Sequence, residues 1–95
     1  MATEGTGTIN FGATAGAPTT STTLVITGQT TIASASRVEA WKRSVATTDH
    51  TIDEVIAEQL DITAGNIVVG TGFTIYADVR NGETWGDYKV DWVWT

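Results

Sequence analysis

The sequence predicts an all-β protein, a six-stranded antiparallel β-sandwich, and three observations indicate this class. The composition is rich in β-branched residues, with nine Val, eight Ile and nineteen Thr against two Leu, as is typical of half-buried pleated surfaces. Several segments alternate apolar and polar residues with a period of two. Glycines separate these segments at turn positions. At 95 residues, the chain is expected to form a single domain over residues 1–95.

Two strands are predicted in the first third of the chain. The first, Thr6–Phe11, places two apolar side chains on one side and leads into a small-residue loop, Gly12–Thr20. The second, Ser21–Thr27, alternates an apolar face with a face of threonines, and Gly28 ends it.

A third strand, Ser36–Val45, has one apolar face and one face that mixes charges with an aromatic residue. The mixed face carries Arg37, Glu39, Trp41 and Arg43. A tryptophan among charges is reasonable at a subunit interface, so Trp41, Arg43 and Arg37 are the predicted interface residues. The alternative, in which Trp41 lies flat on its own strand, stays open.

The next segment, Thr51–Ala64, fits two structures. Thr51 and Glu54 have the spacing of a helix capping box, and apolar residues recur around them at helical spacing. The residues of Val55–Ala64 also alternate as a strand would, except that Glu58 falls on the apolar face. We predict the strand, because the neighbouring elements are all strands and the sandwich needs another.

The last quarter of the chain, Gly72–Thr95, predicts two strands joined by a turn, that is, a β-hairpin. Asn81-Gly82 lies between them, and this dipeptide readily adopts the positive φ angles of a tight turn. One face of the second strand is strongly aromatic and consists of Tyr88, Val90, Trp92 and Trp94. A single sheet could not cover this face, so another sheet or another subunit must.

The order of three segments resembles the H-type lectin domain. These segments are an Arg37-Val-x-Ala-Trp41 strand, then Gly72-Phe73, then a final strand with Val90-x-Trp92-Val93, and the similarity covers Ser36–Thr95. The resemblance implies a six-stranded antiparallel sandwich that assembles as a trimer or as stacked trimers. It also implies a sugar held at the junctions between subunits.

Three further features resemble small proteins encoded among bacteriophage structural genes. They are the opening ATEGTGTINFG, the TGQT turn and the DH-x-x-DE loop. The first residues carry no basic region or apolar stretch of signal-peptide length, and no later segment is long enough to span a membrane. This pattern fits a virion component released by lysis, and we expect no membrane insertion.

The resemblance to lectins directs attention to acidic, arginine and aromatic side chains as sugar ligands. The candidates are Trp85, Asp87 and Tyr88 in and after the predicted hairpin loop, with Arg80 just before it. An exposed Trp85 could stack on a pyranose ring. The alternative is that Trp85 packs against its loop or a neighbouring subunit.

Other chemistries find little support in the composition. The formal charge of −6 does not favour binding to nucleic acid phosphates. Asp49, His50, Asp53 and Glu54 crowd one loop, but their spacing matches no metal-binding loop, and a polar turn capped by Asp49 or Thr51 is the simpler interpretation. With a single His and no Cys, no nucleophile-base pair is evident, so we expect neither an enzyme nor a cofactor or metal.

The expectation from the sequence is therefore a virion structural protein, a decoration or attachment component. It is expected to form a homotrimer or hexamer and to contact other virion proteins. The alternative is a carbohydrate-binding adhesin that recognises host surface glycans.

Overall fold

The computed structural model of the protein describes residues 2–12 and 16–95, which form two three-stranded antiparallel sheets and one short helix. The first sheet consists, in spatial order, of β1 (Thr3–Asn10), β6 (Asp87–Trp94) and β3 (Val38–Lys42). The second consists of β2 (Ser21–Ile26), β5 (Gly72–Val79) and β4 (Leu60–Val68), and the helix α1 spans Ile52–Ala57. The all-β prediction is confirmed, and the predicted number of strands is correct. Residues 13–15 of the predicted small-residue loop lie outside the described residues.

The core lies between the inner faces of the two sheets, and the central strands β5 and β6 supply most of it. Their buried apolar residues are Phe73, Ile75, Ala77, Tyr88, Val90, Trp92 and Trp94. The rings of Phe73 and Trp92 meet edge to face, with their centroids 5.4 Å apart. The aromatic face of β6 is thus covered by the second sheet of the same chain.

The predicted hairpin over Gly72–Thr95 is wrong, although both of its strands exist. β5 and β6 do not pair with each other; each is the central strand of a different sheet. The Asn81-Gly82 dipeptide does form a bend in the connection between the two strands, and Gly82 has φ +83°. Because both strands carry one strongly apolar face, they bury more surface by facing each other across the core than by lying side by side in one sheet.

The predicted strand over Val55–Ala64 is also wrong in its first half. The capping box is present: Thr51 Oγ1 accepts from the Glu54 amide, and Glu54 Oε1 accepts from the Thr51 amide. The resulting helix ends at Ala57, and β4 begins three residues later at Leu60.

Lys42, at the end of β3, stabilises the C-terminal end of α1. Its ammonium donates hydrogen bonds to the carbonyl oxygens of Val55 and Glu58, at 2.5 and 2.6 Å. These carbonyls have no partner further along the helix, and a cation there also complements the helix dipole. These two hydrogen bonds connect the last turn of α1 to the first sheet. The Val55 side chain is fully buried in the core and holds the helix a second time.

Gly72, the first residue of the Gly72-Phe73 motif, has a structural explanation. A Cβ atom added at this position would lie 1.8 Å from the carbonyl oxygen of Ile26 on the neighbouring strand. Only glycine allows the two backbones to approach this closely.

No helix in residues 2–12 and 16–95 is long and apolar enough to cross a membrane.

Candidate functional site

The loop before α1 docks onto the segment before β6, and His50 is the centre of this contact. The His50 side chain is buried, with its Nε2 atom 2.6 Å from the carbonyl oxygen of Trp85. Since a carbonyl oxygen can only accept, Nε2 carries the proton and donates it. The imidazole also stacks on the Tyr88 ring, with the ring centroids 4.6 Å apart, and contacts the Trp85 indole in a tilted arrangement, with the centroids 5.1 Å apart.

Further hydrogen bonds join the same two segments through the Asp87 backbone. The Asp87 amide donates to Asp49 Oδ2 at 2.7 Å, and the Asp87 carbonyl accepts from Thr47 Oγ1 at 2.9 Å. Gly86, with φ +78°, lies directly beneath Asp49, where an added Cβ would approach the Asp49 Cβ to 2.7 Å. The DH-x-x-DE loop is therefore hydrogen-bonded to the residues at the start of β6 and fixes their position.

Metal binding by this loop finds no support in the geometry. The Asp49 carboxylate accepts from the Asp87 amide, and Glu54 accepts from the Thr51 amide in the capping box. In the described part of the chain, no three His, Asp or Glu side chains come together in a way that could hold a metal ion.

The structure divides the four predicted ligand residues among three places. Trp85 and Tyr88 line a depression of about 380 Å³. Asp87 borders a different depression, and its Oδ1 accepts from Asn10 Nδ2 at 2.6 Å. Arg80 directly follows β5 at the end of the second sheet, and its Nη2 donates to Asp61 Oδ1 on β4 at 2.6 Å. No single open platform unites them.

Within the Trp85 depression, the aromatic groups are engaged in packing. Trp85 is half-buried against His50, and Tyr88 is only 1% exposed. The Tyr88 hydroxyl lies 2.8 Å from Thr84 Oγ1, which is also buried. Burial raises the pKa of the Tyr88 phenol, and the hydrogen bond to Thr84 opposes this effect. Sugar binding by these residues stays a prediction, and the packing alternative for Trp85 has direct contacts in its favour.

Two of the three predicted interface residues, Trp41 and Arg43, lie together on the outer side of the first sheet. Trp41 is 47% exposed there and pairs across the sheet with Asp91, which pairs in turn with Thr6. Arg43 lies two residues further along, just after β3, with its amide bonded to the Lys89 carbonyl. We call this surface, made of Glu4, Thr6, Glu39, Trp41, Arg43 and Asp91, the Trp41 face. Arg37 lies just before β3, where its backbone pairs with Thr95.

The Trp41 face holds a shallow depression of about 340 Å³ and a carboxylate oxygen without a hydrogen bond. Asp91 Oδ1 is buried and has no hydrogen-bond partner among the described residues. The nearest cation is Arg43, whose Nη1 lies 3.9 Å away, beyond hydrogen-bonding distance, on a side chain that is 51% exposed. The face therefore presents an exposed indole beside a long Arg43–Asp91 ion pair within one small area.

Asp91, Glu4 and Thr6 were not among the predicted site residues. The alternation of β6 does place Asp91 opposite the aromatic face, so its outward direction was available from the sequence. The residues beside Asp91 on the neighbouring strands could not be predicted, because the order β1–β6–β3 joins strands that are far apart in the chain.

No protein-family model matches the chain, and neither a curated protein nor a solved structure does.

Proposed function

We propose that this protein is a non-catalytic structural component of a bacteriophage particle, a decoration or attachment protein that acts by binding surfaces through the Trp41 face. The observation that carries the proposal is the exposure of Trp41. An indole exposed on the flat outer side of a sheet, between charges of both signs, has the composition of a protein-binding surface.

The rest of the molecule supports a binding role better than a catalytic one. The single histidine is buried, donates from Nε2 to the Trp85 carbonyl and stacks on the Tyr88 ring, so its contacts are those of a packing residue. The carboxylates of Asp49 and Glu54 each accept a backbone hydrogen bond. Two three-stranded antiparallel sheets are compatible with an H-type-lectin-like sandwich, and the proposal keeps that likeness together with assembly as a trimer or hexamer.

Particle association provides the first test. Phage particles from a lysed culture of cells carrying the gene would be banded on a density gradient and probed with an antibody against the chain. We expect the chain in the particle band. Its confinement to the fractions of free protein would contradict the proposal.

A pair of variants then tests the surface. Tyr76 is 39% exposed on the outer face of the second sheet and serves as a matched aromatic control. We expect Trp41→Ala to lose binding to particles that lack the protein, whereas Tyr76→Ala keeps it. Equal binding by both variants would remove the Trp41 face from the proposal.

A second candidate function is binding of host surface glycans, and the exposed Trp41 indole beside Asp91 at one depression favours it. A sugar presents C–H groups that stack on an indole and hydroxyls that donate to a carboxylate. Trp41 and Asp91 lie across from each other at the same depression. On a glycan array, this candidate predicts a signal that Trp41→Ala abolishes and Tyr76→Ala leaves intact; an array without signal for the unaltered protein would contradict it.

A further inference from the structure

The strand that carries Trp41 is an edge strand with an open side. β3 pairs only with β6, and its other side borders a depression of about 400 Å³. Half-buried apolar side chains from both sheets line this depression, namely Val38, Ala40, Ile62 and Ala64. Open edges of this kind are templates for pairing with another strand.

The backbone pattern shows which groups the open side presents. Arg37 and Arg43 direct their amides to carbonyls of the β6 side, at Thr95 and Lys89. In an antiparallel ladder the direction alternates along the strand, so Val38, Ala40 and Lys42 direct their N–H and C=O groups away from β6. No backbone hydrogen bond to these groups on the open side occurs in the described part of the chain.

We propose that the occupant of this edge is β3 of a second copy of the chain, paired antiparallel about a two-fold axis at Trp41. In this register Ala40 pairs with Lys42 of the second copy through the outward backbone groups. Trp41 then faces its own counterpart in a non-hydrogen-bonded pair, where side chains approach most closely. The first sheets of the two copies become one six-stranded sheet.

Charge complementarity selects this register. With Trp41 opposite Trp41, Glu39 of each copy lies opposite Arg43 of the other, so the contact contains two ion pairs. Both side chains are exposed, and Arg43 makes no hydrogen bond to Asp91 at 3.9 Å.

The neighbouring registers that keep the outward groups aligned are less favourable. A shift in one direction places Glu39 opposite Trp41 and Arg37 opposite Arg43, which adds like-charge pairs. A further shift in that direction places Glu39 opposite Glu39. A shift in the other direction leaves Glu39 opposite Val45. Like charges directly opposite each other destabilise a strand pair.

This inference deepens the proposed function by naming a second copy of the chain as one partner of the Trp41 face. An isologous contact of this kind gives a dimer, and combined with a three-fold contact it gives a hexamer.

Two charge reversals test the register, with sedimentation velocity of the purified chain as the measurement. We expect the unaltered protein to form a dimer or a multiple of one. Glu39→Arg and Arg43→Glu should each raise the dimer dissociation constant about tenfold or more, because each turns two opposite-charge pairs into two like-charge pairs. An equimolar mixture of the two variants should associate again, since both ion pairs reform between unlike chains.

Three outcomes would overturn the inference: a monomeric unaltered protein at every concentration, single variants that associate like the unaltered protein, or a mixture that does not associate. Circular dichroism and urea unfolding check that each variant is folded. Association with phage particles is measured separately, so a monomeric protein that still bands with particles would overturn the dimer and the proposed trimer or hexamer, but not the role as a particle component.

A thiol cross-link tests the same register if Arg43→Glu does not fold. The chain has no Cys, so Trp41→Cys introduces a single thiol. Opposite residues in a non-hydrogen-bonded pair have Cα atoms about 4.5 Å apart, within the range that a disulfide bridges. We expect mild oxidation to yield a covalent dimer, whereas Val25→Cys, on the edge strand β2 and 63% exposed, stays monomeric on a denaturing gel. Equal cross-linking at both positions, or none at position 41, would contradict the inference.

Discussion

His50 Nε2 donates a hydrogen bond of 2.6 Å to the Trp85 carbonyl, and the same imidazole stacks on the Tyr88 ring. One buried side chain thus joins the loop before α1 to the segment that leads into β6. This contact explains why Trp85, a predicted ligand residue, contributes to packing.

We expect His50→Ala to lower the free energy of unfolding by about 2–4 kcal/mol. The substitution removes the hydrogen bond, leaves the Trp85 carbonyl without this donor and opens a cavity beside Tyr88. Urea unfolding measures the change. Asp53→Ala, at an exposed position on α1, is the control. A similar loss of unfolding free energy in both variants would contradict the stabilising role of His50.

Stability should fall at alkaline pH, because the folded protein raises the pKa of the Tyr88 phenol. The neutral phenol is favoured in the folded state, so its stabilising contribution is complete below the unfolded pKa of about 10 and is lost as pH rises through the higher folded value. Urea unfolding between neutral and alkaline pH should show a smaller decline for Tyr88→Phe than for the unaltered protein.

The comparison with Tyr88→Phe also separates Tyr88 from Lys42. Burial lowers the pKa of the Lys42 ammonium, with the nearby Glu58 opposing this, and a lowered lysine pKa raises stability as pH increases. Lys42 titrates in both proteins, so their difference isolates the phenol. Identical alkaline declines in the two proteins would contradict the role of Tyr88.

Two glycines in the connection between β5 and β6 should respond differently to alanine. Both have positive φ, +83° at Gly82 and +78° at Gly86, but an added Cβ meets nothing within 4 Å at Gly82 and approaches Asp49 at Gly86. We expect Gly82→Ala to cost about 1 kcal/mol from backbone strain alone, and Gly86→Ala to cost roughly a further 1–3 kcal/mol. Equal costs in thermal or urea unfolding would show that the contact with Asp49 has no energetic weight.

Removal of the Lys42 ammonium should weaken the attachment of α1. Lys42→Met keeps the aliphatic chain but leaves the carbonyls of Val55 and Glu58 without their donor, at a cost of about 1.5–3 kcal/mol. Arg80→Met, which removes only the exposed ion pair with Asp61, should cost less than about 1 kcal/mol. Amide hydrogen exchange of α1 would localise the effect, and unchanged protection there would contradict this role of Lys42.

Much of the fold could be predicted from the sequence. The two errors, the Gly72–Thr95 hairpin and the first half of the Val55–Ala64 strand, both concern features that tertiary contacts decide. The alternation in β5 and β6 correctly identified both strands and their buried faces, and the Thr51–Glu54 spacing correctly indicated a capping box. A six-residue helix is too short to be decided by propensity, however. It forms where Val55 enters the core and Lys42 reaches its last carbonyls, and both are tertiary contacts made outside the helix itself.

The sequence by itself determined which side chains point inward, because a period of two is a local property of each strand. Only the tertiary structure decided which strands are neighbours, and therefore that Trp85 packs on His50 while Trp41 lies beside Asp91. The reason is physical, because the burial of apolar surface is non-directional. The apolar faces of β5 and β6 therefore do not by themselves specify whether the two strands lie side by side in one sheet or face each other from two sheets. The packing of both sheets around a shared core selected the second arrangement, and it left the Trp41 face and the open edge of β3 at the surface.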